Sequence, residues 1–134
     1  MQIKYVNEIE GSPVVQFVAR AWCALMKAGQ WDSNSVLVSP ELQCVYATEA
    51  RRIIGCLTFH VDESEAVVNI AYVTPDSRGR GAYRAMHDRF LLEAKKQGAT
   101  EALNICYPSN TGIQKTCEKL GYRPYVIHLK REIK

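Results

Sequence analysis

The chain has 134 residues, of which 47% are hydrophobic and 23% charged, with a formal net charge of +3. That composition suits one ordinary domain with a buried core and excludes a disordered chain. No stretch approaches the roughly 18 consecutive apolar residues of a membrane span, and the opening MQIKYVNEIEG has neither the basic nor the apolar region of a secretory signal.

The segment QIKYV (residues 2–6) reads as a first strand. GSPVVQFVARAWCALMKAGQWD reads as a helix, with Ser12 as N-cap, Pro13 in the first turn, and an apolar stripe of Val14, Val18, Trp22 and Leu25 that Gly29 closes. QWDSNSVLVSPEL is loop-like. LQCVYAT and RIIGCLTFHV form a hairpin around EARR, and DESE turns the chain into AVVNIAYV. That last run is apolar on both faces, the pattern of a central strand covered on both sides. Asn69 is its one clearly polar residue.

After a glycine-bearing loop, GAYRAMHDRFLLEAKKQGA reads as a second long helix, with Ala82, Met86 and Phe90 on one face and Gly98 at its end. TEALNICY is a further strand. PSNTGIQKTCEKLGY is a short helix carrying Ile113, Cys117 and Leu120 on one face, with Asn110 as N-cap and Gly121 after its last turn. RPYVIHLKREI is the closing strand. The order predicts an α/β (α+β) fold, a mostly β sheet with helices on both faces.

Cys23, Cys44, Cys56, Cys106 and Cys117 are odd in number and include no CxxC pair. Free thiols in a reducing, cytoplasmic setting are therefore expected. His60, His87 and His128 do not stand at ligand spacing, so no metal is expected. Charge is unevenly distributed: residues 1–77 carry 5 basic and 9 acidic side chains, residues 78–96 carry 6 and 2, and residues 97–134 carry 6 and 3. Positive charge begins at the loop SRGRGAYR. An anionic ligand there, and a cationic one toward the first half, is the sharper reading of that asymmetry; scatter over a solvated surface is the plainer one.

The loop joins a strand to a helix, so several backbone N–H groups lack helical partners and the helix dipole adds positive potential. Gly79 and Gly81 leave the main chain bare, and Arg78, Arg80 and Arg84 add fixed charge. Together they form a cradle for a diphosphate-sized anion. The Walker pattern is missing, and the dinucleotide fingerprint fails because its third glycine falls on Arg84. An RNA-binding arginine–glycine tract would sit in disorder, not between a strand and a helix.

The pattern that fits is R-x-x-G-x-G/A, and here it resembles the acyl-CoA loop of the GNAT superfamily of N-acetyltransferases. RRIIGCLTF, AYVTPDSRGRGAYRAM and ALNICYPSNTGIQKTCEKLGY resemble three successive segments of that family, over about residues 44–133. The resemblance implies a GNAT-like, mostly antiparallel sheet of about six to seven strands with three to four helices. It implies one domain over residues 1–134, with residues 1–43 on the acceptor side and 44–133 as the CoA-binding core. It also implies transfer of an acetyl group from acetyl-CoA to an amine. The main-chain N–H groups of Gly79, Arg80, Gly81, Ala82, Tyr83 and Arg84 would hold the pyrophosphate, beside Arg78. The strand edge at Tyr72 and Val73 would pair with the pantetheine arm, Asn110 would bond that arm or cap its own helix, and the Val73 N–H would polarise the carbonyl.

The sequence departs from the family in three places. Tyr83 replaces the loop's final small residue, so its phenol must point away from the phosphate. Cys117 stands where the family has a tyrosine that protonates the leaving thiolate; it is either that acid or, the preferred reading, a core residue in line with Ile113 and Leu120. Val67 stands where some relatives carry a glutamate base. Glu65, which shares strand parity with Val67 and Asn69, and His60 on the adjoining strand are the remaining candidates for a base, although direct attack by a neutral amine needs none. The partners expected are acetyl-CoA and a cationic amine or protein acceptor, without membrane or metal, and a homodimer is compatible with this reading. Two other classes stay open. One is a GNAT-fold protein that binds CoA or a protein without transfer. The other is a nucleic-acid binder resting only on the basic second half, which lacks a groove-reading motif.

Overall fold

A computed structural model of the chain describes residues 1–29, 41–127 and 129–134. Five strands and three α-helices follow in order: β1 (Gln2–Val6), α1 (Val15–Lys27), β2 (Gln43–Glu49), β3 (Arg52–Asp62), β4 (Glu65–Val73), α2 (Ala82–Lys96), β5 (Glu101–Asn104) and α3 (Thr111–Lys119), with one 3-10 turn over Pro75–Ser77. The strands form a single sheet in the order β1-β2-β3-β4-β5. The first four are antiparallel neighbours, whereas β5 lies parallel to β4.

Each face of the sheet buries one apolar set. Val45, Leu57, Phe59, Val68 and Val73 pack with Ala82, Met86, Phe90 and Ala94 of α2. Cys44, Tyr46, Cys56 and Ile70 pack on the other face with Val14, Phe17, Val18 and Ala21 of α1 and its approach. β4 serves both cores, as its doubly apolar sequence predicts. All five cysteines are free thiols.

Two β-bulges shape the sheet. In the β3–β4 pair, Phe59 faces Val68 while Thr58 faces Ile70, which leaves Asn69 as the extra residue. The Ile70 N–H there donates to Thr58 Oγ1 at 3.2 Å. The bulge reverses the parity of β4: Ala66 and Val68 face α2 before it, and Ala71 and Val73 do so after it. The β2–β3 hairpin turns through Ala50 and Arg51, both at positive φ (50° and 65°) without a glycine.

Three expectations are corrected. The described residues contain five strands, not six or seven, and three α-helices. RPYVIHLKREI is not a strand: its described residues carry no regular structure, and Tyr125, Ile127 and Leu129 are 77%, 81% and 93% exposed. Among the described residues no strand pairs with it to supply a ladder. Ser12 does not cap α1; its hydroxyl donates to the Ile9 carbonyl at 2.6 Å, a local turn competes with the helix, and α1 starts at Val15. The loop expected over residues 30–42 lies almost entirely outside the described residues, as does His128.

Candidate active site

β5 pairs with β4 only from Glu65–Val68 against Glu101–Asn104. Beyond Asn104 the pairing ends, and β4 runs on through Val73 with no strand of the described residues paired along that edge. The Thr74 N–H donates to Ile54 O at 2.9 Å. Hydrogen-bonded pairs alternate along an antiparallel ladder, so Val73 directs its N–H and C=O away from β3 toward that open edge, while Tyr72 directs its own toward β3. The carbonyl is occupied: Arg78 Nε donates to Val73 O at 2.8 Å, and the guanidinium lies 5.4 Å above the Tyr72 ring.

The glycine loop arrives just beyond this edge. Gly79 and Gly81 have φ of 79° and 84°, and a Cβ built on either meets nothing within 4 Å. These positions need glycine for the left-handed backbone, and they leave open space over the main chain. Gly81 stands at the N-cap of α2, no side chain caps the helix, and its first turn holds no carboxylate. The leading N–H groups of α2 therefore face outward with an aligned dipole behind them. Ala82 is buried beneath them. Of the arginines, Arg80 leans back to Glu49 in the β2–β3 turn, Nη1 to Oε1 2.8 Å, and that bond holds the Glu49 carboxyl below its usual range. Arg84 is exposed.

Tyr83 points inward, as a phosphate-admitting backbone requires. Its hydroxyl accepts from Asn104 Nδ2 at 3.2 Å, at the point where β5 leaves β4, and Cys117 lies close enough to affect its ionisation. Its ring stacks on His87, centroids 6.2 Å apart and 17° from parallel. His87 Nε2 meets the Tyr122 hydroxyl at 2.7 Å. Burial pushes the Tyr83 phenol up to about 12 and the Cys117 thiol up to about 11; it pulls His87 below its ordinary value, with Asp88 opposing. At neutral pH this cluster is uncharged and keeps its protons. It ties α2, β5 and α3 together behind the glycine loop.

Asn110 caps α3: its Oδ1 accepts from the Ile113 N–H at 3.3 Å. The helix closes on Gly121 at φ 92°, with the Tyr122 N–H donating to Cys117 O and the Gly121 N–H to Glu118 O. Cys117 is 7% exposed. His60 faces Val67 across β3–β4, and Glu65 faces Asp62 at the far end of the same pair. Glu65 is eight residues from Val73, roughly 27 Å along a strand at about 3.4 Å per residue. Asn69, in the bulge, lies between them.

The structure thus brings Tyr72, Val73 and Arg78 to one edge, Gly79 to Arg84 to the loop beside it, and Tyr83 to Cys117 behind. His60 and Glu65 stand apart from all of these. Asn104, His87 and Tyr122 complete the cluster, and nothing in their sequence spacing marks them, because three different elements supply them. Among the described residues no group of His, Cys, Asp or Glu could hold a metal ion, and no helix is long and apolar enough to cross a membrane.

A family model described as "Acetyltransferase (GNAT) family" matches residues 15–122. No curated protein sequence matches the chain. Among solved structures, the chain is similar to an aminoglycoside acetyltransferase from an uncultured soil metagenomic sample in complex with sisomicin, with 12% identity over 99% of this chain and 96% of that one and a TM-score of 0.76. It is also similar to a ribosomal-protein-alanine N-acetyltransferase from Brucella melitensis biovar Abortus 2308, with 16% identity, 96% and 100% coverage and a TM-score of 0.72. An aminoglycoside N-acetyltransferase in complex with CoA matches at 17% identity, 98% and 100% coverage and a TM-score of 0.71.

Proposed function

The chain belongs to the acetyltransferase (GNAT) family, and from that premise we propose that it moves an acetyl group from acetyl-CoA to a cationic amine acceptor, either a small amine or a protein amine. The observation that carries this reading is the bare loop at Gly79–Gly81, with two left-handed glycines, open space above them and the uncapped first turn of α2 behind. That surface complements an anion, and acetyl-CoA carries one in its pyrophosphate.

Acetyl-CoA supplies an acyl carbon activated as a thioester; the amine nitrogen bonds to it as the C–S bond breaks, leaving an amide and a thiol. The chain's part is placement and polarisation. The N–H groups from Gly79 to Arg84 hold the pyrophosphate, and Arg78 and Arg84 add charge around it. The Val73 N–H, directed to the open edge, donates to the carbonyl oxygen as charge develops there. Asn110 acts as a helix cap that shapes the rim of the cleft. Cys117 acts as a structural thiol within the Tyr83 cluster. No base is required: a neutral amine attacks directly and water carries its proton away. Residues 1–43 form the acceptor side of a single domain. The acidic excess of residues 1–77, with 9 acidic and 5 basic side chains, draws in a cation. The free thiols support a cytoplasmic setting.

One observation favours a second reading. Arg78 occupies the Val73 carbonyl at the cleft edge, where an extended amide-bearing arm would otherwise find its acceptor. A protein that keeps this contact would retain the fold and bind a partner without transfer. A screen of amines with acetyl-CoA, following release of free thiol, separates the two. Acceptor-dependent thiol release supports transfer, and its absence across small amines, lysine peptides and peptide N-termini supports the scaffold.

A further inference from the structure

Arg78 carries a charge that its own contacts do not match. Its Nε donates to Val73 O at 2.8 Å, and its guanidinium carbon stands 5.4 Å from the centroid of the Tyr72 ring. Arg52, Arg80 and Arg89 each meet a carboxylate, whereas no carboxylate of the described residues pairs with Arg78. A full positive charge is thus held by one neutral carbonyl and one ring face. The bare loop begins at the next residue, Gly79.

Tyr72 belongs to the other side of the sheet. It is partly buried against the cluster that α1 forms there. Phe17 of α1 meets it with ring centroids 6.3 Å apart and planes tilted by 54°. Helix α1 therefore fixes the ring, and a face of that ring is given to a cation. An aromatic face attracts ammonium and guanidinium groups alike.

We propose that the Tyr72 ring is the recognition surface for a cationic group of the acceptor, and that the Arg78 guanidinium stands in for that group until acetyl-CoA draws it away. This rests on the proposed function, in which an amide-bearing arm lies along β4 and a pyrophosphate sits at Gly79–Arg84. The arm competes for the Val73 carbonyl. The pyrophosphate offers the guanidinium a charge-assisted bond, roughly twice as strong as one to a neutral acceptor. Both present contacts of Arg78 then give way, and the ring face opens on the acceptor side. The attacking nitrogen must be neutral, so the cation over Tyr72 is a second one. The acceptor carries a fixed ammonium or guanidinium group beside the amine that reacts. Tyr72 directly precedes Val73, whose N–H meets the acetyl oxygen, so this cation anchors the acceptor next to the reacting carbonyl. Tyr72 sets specificity and takes no part in bond making.

Titration with tetramethylammonium chloride at constant ionic strength, followed by NMR, tests this. Methyl protons of the probe shift upfield over a ring face and give Overhauser contacts to the ring protons. Without acetyl-CoA, Arg78→Met should bind the probe about two- to fivefold more tightly than the wild type, the span of an exposed cation–π contact, with Overhauser contacts to Tyr72. Adding Tyr72→Phe to that variant should keep the gain, and adding Tyr72→Leu should remove it. The wild type saturated with acetyl-CoA should match Arg78→Met. The neutral probe tert-butanol should show none of these differences. No gain in Arg78→Met, a gain that survives Tyr72→Leu, or one that tert-butanol shares overturns the proposal. Should the leucine variant fail to fold, missing Overhauser contacts in Arg78→Met overturn it equally. A wild type that binds acetyl-CoA but gains no affinity for the probe also overturns it. A wild type that does not bind acetyl-CoA overturns the proposed function instead, and the titrations without acetyl-CoA still decide whether Tyr72 holds a cation.

Discussion

The Tyr83 hydroxyl accepts a hydrogen bond from Asn104 Nδ2 at 3.2 Å and faces the Cys117 thiol. Two departures from the family pattern thus stand side by side. The loop's small residue has become a phenol that turns inward, and the helix position of the family's tyrosine has become a cysteine small enough to receive it.

The proposed function takes Cys117, 7% exposed, as a packing residue. Cys117→Ala should cost on the order of 1 kcal/mol of stability and leave turnover per folded molecule nearly intact. Cys117→Tyr should overfill the site and cost about 1–3 kcal/mol. Thermal melts and steady-state rates on the same preparations check both. A loss of about 10²–10⁴-fold in turnover for Cys117→Ala, with an unchanged melting temperature, would make this thiol the acid instead.

The Arg80–Glu49 pair partly neutralises charge beside the anion cradle. Glu49→Gln should release Arg80 and tighten acetyl-CoA binding by no more than about fivefold at low salt, since an exposed ion pair is weak. Arg80→Glu should weaken binding. Both effects should fade as ionic strength rises. Equal affinities in all three proteins at low salt would place the phosphates away from Arg80.

His87 is buried and its pKa is pulled below its ordinary 6.5, with burial the main cause. A depressed folded value means that the unfolded chain binds the proton first as pH falls. The stability this histidine contributes is complete above about pH 6.5 and declines as pH drops toward its folded value. His87→Gln keeps a hydrogen-bonding group near Tyr122 and does not titrate. Between pH 7 and pH 5 the wild-type melting temperature should fall further than that of the variant. Parallel curves would show that His87 is solvated.

Much of this was legible in the sequence because local signals agreed with the tertiary fold. QIKYV, the hairpin around Ala50 and Arg51, and the run of Ala82, Met86 and Phe90 all appear where periodicity places them. So do Asn110 as a cap and Gly121 as a stop. The glycine loop was readable because positive φ and unpaired N–H groups leave a mark in residue type. Ser12 misled because a capping residue and a turn residue share the same chemistry. The bulge at Asn69 was invisible, since an extra residue leaves the apolar pattern of β4 almost unchanged, and so the shared parity of Glu65 and Asn69 could not be relied on. RPYVIHLKREI reads as a strand, but a ladder needs a neighbour, and an alternating pattern does not supply one.

The central claim is that the loop from Arg78 to Arg84 holds acetyl-CoA. Calorimetric titration of the wild type and Gly81→Val, at a temperature where both are folded, tests it most directly. A β-branched residue at φ 84° is strained by about 1–3 kcal/mol and also projects into the open space above the loop. The wild type should give saturable heat with one site per chain, and Gly81→Val should lose it while remaining folded. No heat from the wild type with millimolar acetyl-CoA, or undiminished binding by Gly81→Val, would contradict the account.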